Sequence, residues 1–244
     1  MLEGWTRQTI AGKPADVFEP ATPARAAVLY LYPLGEESPA ENKAFTAAFR
    51  NAGLPVVVPY GRRSWWADRV CTEFDPVLTA EQHLLRNVVP WMESRWQLGP
   101  RRIAVTGVSM GGQGAVRLGL KYPERFPIVA GISSAFDYQD WHGRGGPIDE
   151  MYKDREACRQ DTAILALAGP PWPRHIWFAC DPEDAECIRG NDRLHEKLNA
   201  YGIPHVADFD TTHGGHCWEY FDRMAKPMMG YVVDALAQES LRLM

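Results

Sequence analysis

Six short, almost wholly apolar runs recur along the chain, at residues 26–32, 55–59, 102–106, 128–132, 175–180 and 205–209, and longer amphipathic stretches separate them. A strand with one wet face alternates polar and apolar residues. Most of these runs do not alternate, so both faces must be covered. Apolar strands interleaved with amphipathic helices predict an α/β fold, a mostly parallel central sheet with helices on both faces. The clearest helix spans 80–96, where Leu84, Leu85, Val88, Val89, Met92 and Trp96 recur at helical spacing. Further helices are predicted at 40–52, 112–122, 191–201 and 220–241, the last with Pro227 as a point of kinking. Residues 5–10 and 15–19 read as an antiparallel hairpin turning at Gly12-Lys13-Pro14. Residues 133–173 break the rhythm, being rich in Gly, Pro, Asp and aromatics with one short helical piece at 162–168. Long irregular segments of this kind usually serve as rims or lids, and this one is expected over the carboxyl ends of the strands, where open α/β sheets bind ligands. A length of 244 residues fits one such domain over 1–244.

Gly107-Val108-Ser109-Met110-Gly111-Gly112 follows the third apolar run and opens a helix. G-x-S-x-G alone is a weak signal. Between a strand and a helix it becomes a candidate nucleophile elbow, in which the serine sits on a sharp turn and the flanking glycines avoid clashes. A serine hydroxyl needs a base. Of seven histidines, His216 is favoured, because Thr212-His213-Gly214-Gly215-His216-Cys217-Trp218 lies after the last strand and before the final helix; His213 is the rival. In the order serine, acid, histidine, the acid should come from the loop after strand 175–180, Asp181-Pro182-Glu183-Asp184. Asp184 is preferred over Asp181, because it sits where the loop has turned towards the histidine.

These residues resemble the esterase D-like or "putative esterase" family of α/β-hydrolases, which includes S-formylglutathione hydrolases, enterochelin esterases, feruloyl esterases and mycolyltransferases. The resemblance rests on the serine motif, on Gly214-Gly215-His216-Cys217-Trp218-Glu219-Tyr220, on Ser64-Trp65-Trp66-Ala67-Asp68 and on Val88-Val89-Pro90-Trp91-Met92-Glu93. It implies an α/β-hydrolase fold and a carboxylic ester hydrolase with Ser109 and His216 catalytic. The family's Gly-x-x-Asp acid motif matches Asp181-Pro182-Glu183-Asp184 only at Asp184. It further implies an oxyanion hole built from the N–H groups of Met110 and Leu34, with Gly35 as the alternative to Leu34, since Pro33 has no N–H to donate. Trp65 and Trp66 stand on a loop that borders the pocket in relatives, where they would either form an apolar wall or close the core.

The formal net charge of −5 and the lack of a dense Lys/Arg run argue against a nucleic-acid partner. The chain shows neither a signal-peptide pattern at Met1-Leu2-Glu3-Gly4-Trp5-Thr6 nor an apolar run long enough for a membrane span, so a cytoplasmic location is expected. Five widely spaced cysteines do not form a disulfide or zinc pattern. Cys217, next to His216, is a weaker nucleophile candidate than Ser109, because adjacent residues rarely face one another. The expectation is a cofactor-free serine esterase, acting on a small-molecule ester or thioester through an acyl-enzyme on Ser109. An acyltransferase on the same scaffold and a non-catalytic binding module are the alternatives.

Overall fold

The computed structural model describes residues 1–22, 25–167 and 169–242. Its strands are β1 (Trp5–Ile10), β2 (Lys13–Phe18), β3 (Ala27–Leu31), β4 (Val56–Pro59), β5 (Ile103–Val108), β6 (Ile128–Ile132), β7 (His175–Ala179) and β8 (Val206–Asp208). They form one sheet in the order β1-β2-β4-β3-β5-β6-β7-β8. β3 through β8 are parallel, and the β1–β2 hairpin joins β4 antiparallel. The six apolar runs are thus the six parallel strands. Every residue of β3, β5 and β6 is buried, as strands between two helical layers must be.

The helices are α1 (Lys43–Ala52), α2 (Ala80–His83), α3 (Val89–Trp96), α4 (Met110–Lys121), α5 (Ile148–Met151), α6 (Arg155–Arg159), α7 (Ala163–Ala166), α8 (Ile188–Ala200) and α9 (Trp218–Arg242). α1 starts where the Asn42 side chain accepts the Phe45 N–H and stops at Gly53, whose φ of 63° suits glycine. It packs along α9, which crosses β5, β6 and β7. α4 packs on β3, β5 and β6. No helix among the described residues is long and apolar enough to cross a membrane.

Several local expectations are corrected. The hairpin turns at Ala11-Gly12, one residue earlier than expected, with φ of 48° and 81°. Two successive positive-φ residues make the tight turn whose twist matches paired strands. The 80–96 helix is not uniform: Leu84–Val88 takes π geometry between α2 and α3. Pro90, at the start of α3, cannot donate to the preceding turn, and the wider π turn accommodates that missing hydrogen bond. By contrast, α9 runs through Pro227 without a break. The 133–173 segment holds more structure than expected: a 3-10 turn (Tyr138–Trp141), α5, α6 and α7. Residue 168, within the helical piece expected at 162–168, lies outside the described residues. Because β6 and β7 are parallel, the segment leaves the carboxyl end of one and must return to the amino end of the next. Its first residues therefore lie at the carboxyl ends and its last at the amino ends.

A buried ion cluster fastens that segment to α4. Arg117, 1% exposed, donates to Glu81 Oε2 at 2.5 Å and to the Asp161 carbonyl at 2.7 Å, and pairs with the Asp161 carboxylate. Glu81 also accepts from Lys121 and from Tyr122 Oη. Removing one partner from a buried pair strands the others. Arg117→Met should therefore lower stability by about 3 kcal/mol or more, measured as a drop in urea midpoint. An unchanged midpoint would show that the cluster contributes little.

Candidate active site

Ser109 follows the last residue of β5 and precedes α4. Its φ of 53° and ψ of −116° lie outside the regions open to ordinary residues. The turn is held by main-chain bonds: Ser109 N donates to the Ile132 carbonyl at 2.9 Å, and Ala135 N donates to the Ser109 carbonyl at 3.1 Å. The glycines around it are required by space. A Cβ on Gly111 would stand 1.8 Å from the Leu31 carbonyl oxygen, and one on Gly107 would stand 2.4 Å from the Gly111 carbonyl. With both positions bare, α4 starts directly against β3 and β5, and its positive N-terminal end lies at Ser109.

Leu34 and Met110 are related by the sheet. Leu31 pairs in register with Gly107, and each of the two residues lies three positions beyond that pair. Met110 is the first residue of α4, where an N–H has no intrahelical acceptor. Leu34 sits in a turn closed by Glu36 N donating to the Pro33 carbonyl at 3.0 Å.

The acidic loop after β7 divides its carboxylates between two tasks. Asp184, 1% exposed, accepts the His216 Nδ1 proton on Oδ2 at 2.7 Å. Its other oxygen accepts from Glu186 N at 3.1 Å and Cys187 N at 3.0 Å, and the Cys180 thiol lies 3.7 Å from Oδ2. Asp181 does not reach the imidazole by any of its hydrogen bonds. It accepts three backbone N–H groups, from Glu183 at 2.8 Å, His213 at 2.6 Å and Gly215 at 2.9 Å. Burial pushes the Asp181 carboxyl up, but those three N–H groups outweigh it and hold the group below its ordinary range. The sequence favoured Asp184 as the partner of His216 by its place in the loop, whereas for the separate task of Asp181 it showed only a crowd of carboxylates.

β5 and β7 are separated by one strand, so their ends lie about 10 Å apart. That gap is within the combined reach of a serine and a histidine side chain carried on a loop returning from β8. The structure joins His216 to Asp184 but does not hydrogen-bond it to Ser109. The His216 ring also meets Phe221 edge to face at 5.1 Å.

His213 is exposed, and its contribution is its backbone. The Cys217 thiol donates to the His213 carbonyl at 3.3 Å. Cys180 and Cys187 are buried beside Asp184, and burial raises both thiols, leaving them protonated and poorly nucleophilic. Trp65 and Trp66 are 2% and 1% exposed and fill the core instead of walling an open pocket. Trp65 stacks on Tyr138 at 5.3 Å and meets Trp141 at the same distance, fastening the β4 loop to the 133–173 segment. Trp66 Nε1 donates to the Tyr32 carbonyl at 3.3 Å, and its ring fills the space beside Gly61 and Gly114. Both tryptophans have positive φ, 54° and 51°, a strain that dense packing sustains.

Comparison with known proteins agrees with this architecture. An S-formylglutathione hydrolase from Agrobacterium tumefaciens superposes with a TM-score of 0.77 at 17% identity, over 97% of both chains. A ferulic acid esterase gives 0.74 at 17% identity, over 95% of this chain and 97% of the other. At that identity the likeness shows the fold, the α/β-hydrolase fold. A diacylglycerol acyltransferase/mycolyltransferase Ag85C from Mycobacterium avium is 31% identical over 90 residues, which is 35% of this chain. The matched part spans about a quarter of that relative's length, 26%. The sequence profile of the putative esterase family matches residues 41–229, most of the chain. This protein belongs to the putative esterase family.

Proposed function

We propose that the protein is a serine esterase that cleaves a small-molecule carboxylic ester or thioester through an acyl-enzyme on Ser109. The observations that carry this reading are a serine on a strained strand-to-helix turn at the end of β5 and, after β8 in the same sheet, a histidine whose Nδ1 is paired with a buried aspartate at 2.7 Å. His216 Nε2 takes the Ser109 proton as Oγ bonds to the substrate carbonyl carbon. The Leu34 and Met110 N–H groups receive the oxyanion, each donor contributing about 3 kcal/mol to the transition state. His216 then delivers the proton to the departing alcohol or thiol as its bond to carbon breaks, and water repeats the sequence to release the acid. Asp184 keeps the imidazole in the tautomer with its free lone pair on Nε2 and stabilises the imidazolium.

A histidine base works only when neutral, so turnover of p-nitrophenyl acetate should rise with pH to a plateau. Iodoacetamide should leave most of that turnover intact, because the acyl group is carried by Ser109, the thiols beside Asp184 are buried and protonated, and the half-buried Cys217 thiol is turned to the His213 carbonyl. A flat profile, or complete loss on alkylation, would move the chemistry away from Ser109. The likeness to an acyltransferase supports a second reading, in which an acceptor hydroxyl replaces water at the acyl-enzyme. Adding a soluble alcohol and quantifying ester against free acid separates the two.

A further inference from the structure

We propose that Asp181 is a positioning residue that pins the histidine loop by its backbone, and that the turn Asp181–Asp184 thereby sets both the loop and the imidazole it carries. The inference rests on the reading of Ser109 and His216 as nucleophile and base. Between β8 and α9 the loop bearing His216 has no regular structure. It contains two consecutive glycines at φ of 86° and 80°, the residues with the most backbone freedom to lose. Asp208 holds its first residues, accepting from Asp210 N at 3.1 Å and Thr211 N at 3.0 Å. Nearer His216, a single oxygen of Asp181 accepts both His213 N and Gly215 N. Bonds to an ionised acceptor are the stronger kind, and here they come from a side chain that is fully buried.

The anchor and the acid belong to one turn. Asp184 N donates to the Asp181 carbonyl at 2.9 Å, and Asp181 Oδ1 receives Glu183 N inside the same turn. The loop lies close on top: a Cβ on Gly215 would come within 3.0 Å of the Glu183 carbonyl oxygen. Asp184 orients the imidazole ring and Asp181 fixes the main chain beneath it, so ring and loop are referred to the same four residues. Without Asp181, three N–H groups lose their acceptor, two of them in the histidine loop, and the glycine pair is free to carry His216 away from Ser109.

The test compares kcat, KM and the pH dependence of kcat/KM for p-nitrophenyl acetate in wild type, Asp181→Ala and Asp181→Asn, with Ser109→Ala as the control. Asp181→Ala should lower kcat by about 10- to 100-fold, the scale of a misplaced catalytic group, while KM changes less than about twofold. Its pH dependence should keep the wild-type shape, because Asp184 still pairs with His216. Asp181→Asn should recover most of kcat, since its amide oxygen can still accept both loop N–H groups. Amide exchange at His213 and Gly215 should be faster in Asp181→Ala than in wild type. If Asp181→Ala does not fold, Asp181→Asn against Asp181→Ser carries the comparison: Asn should exceed Ser in kcat by about tenfold, and equal rates would overturn the proposal. Wild-type kcat in Asp181→Ala with Ser109→Ala inactive overturns the anchor alone. An active Ser109→Ala overturns the serine reading and the anchor with it.

Discussion

Ser109→Ala should abolish ester turnover, with a loss in kcat on the order of a million-fold, and should abolish labelling by a fluorophosphonate probe. The size of the effect follows from the elbow. Its backbone is held by Ile132, Ala135 and the bare edges of Gly107 and Gly111, so the substitution removes one oxygen without moving the turn. Alanine is also compatible with a fold that already tolerates φ of 53° at this position. The variant should therefore remain folded, with an unchanged thermal midpoint or a slightly raised one, and only its chemistry should disappear. What persists would be the modest catalysis of the oxyanion donors and substrate binding. Full activity in a folded variant would remove Ser109 from the mechanism.

Asp184→Asn should be the second most damaging substitution, costing about 10⁴-fold in kcat. Asp184 uses both oxygens: Oδ1 receives Glu186 N and Cys187 N, and Oδ2 receives His216 Nδ1. An asparagine has one acceptor oxygen to divide between those positions. The two main-chain donors fix it at the first, and the NH₂ group then faces His216 Nδ1. The imidazole must turn its lone pair to that amide and carry its proton on Nε2, where it cannot accept one from Ser109. Asp181→Asn should cost far less, because its amide oxygen still accepts the His213 and Gly215 N–H groups and only the Glu183 N–H loses its acceptor. Measuring kcat for the two variants side by side decides the assignment. Comparable losses would mean that the carboxylates share one role.

Much of the architecture was readable before any coordinates. The parallel strands lie within one or two residues of the six apolar runs, because burial on both faces writes itself into consecutive residues. The Ser109 turn was readable for a similar reason: a strand, two glycines at fixed spacing and a helix are contiguous in the chain. The histidine that pairs with the acidic loop, His216, stands where the sequence pattern pointed, between the last strand and the last helix. Less was readable where a local preference competes with pairing or packing. The hairpin turned at Ala11-Gly12 because the β1–β2 register pairs Ile10 with Lys13, drawing Pro14 into the ladder opposite Thr9. The π stretch before Pro90 preserves a helix that periodicity alone describes as uniform.

What the sequence by itself determined is therefore the order of the strands and helices along the chain, the elbow at Ser109 and the histidine loop. Each depends on residues close together in sequence. The place of Asp184 in its loop favoured it over Asp181, but only tertiary structure brings it to His216, since it lies 32 positions away and its aim depends on how the β7 turn is stacked under the β8 loop. Tertiary structure also decided that Trp65 and Trp66 complete the core, because their environments are made by Tyr138, Trp141 and Tyr32 from other parts of the chain. The same holds for Asp181. A buried carboxylate must find donors, and only the folded sheet brings the N–H groups of His213 and Gly215 to it.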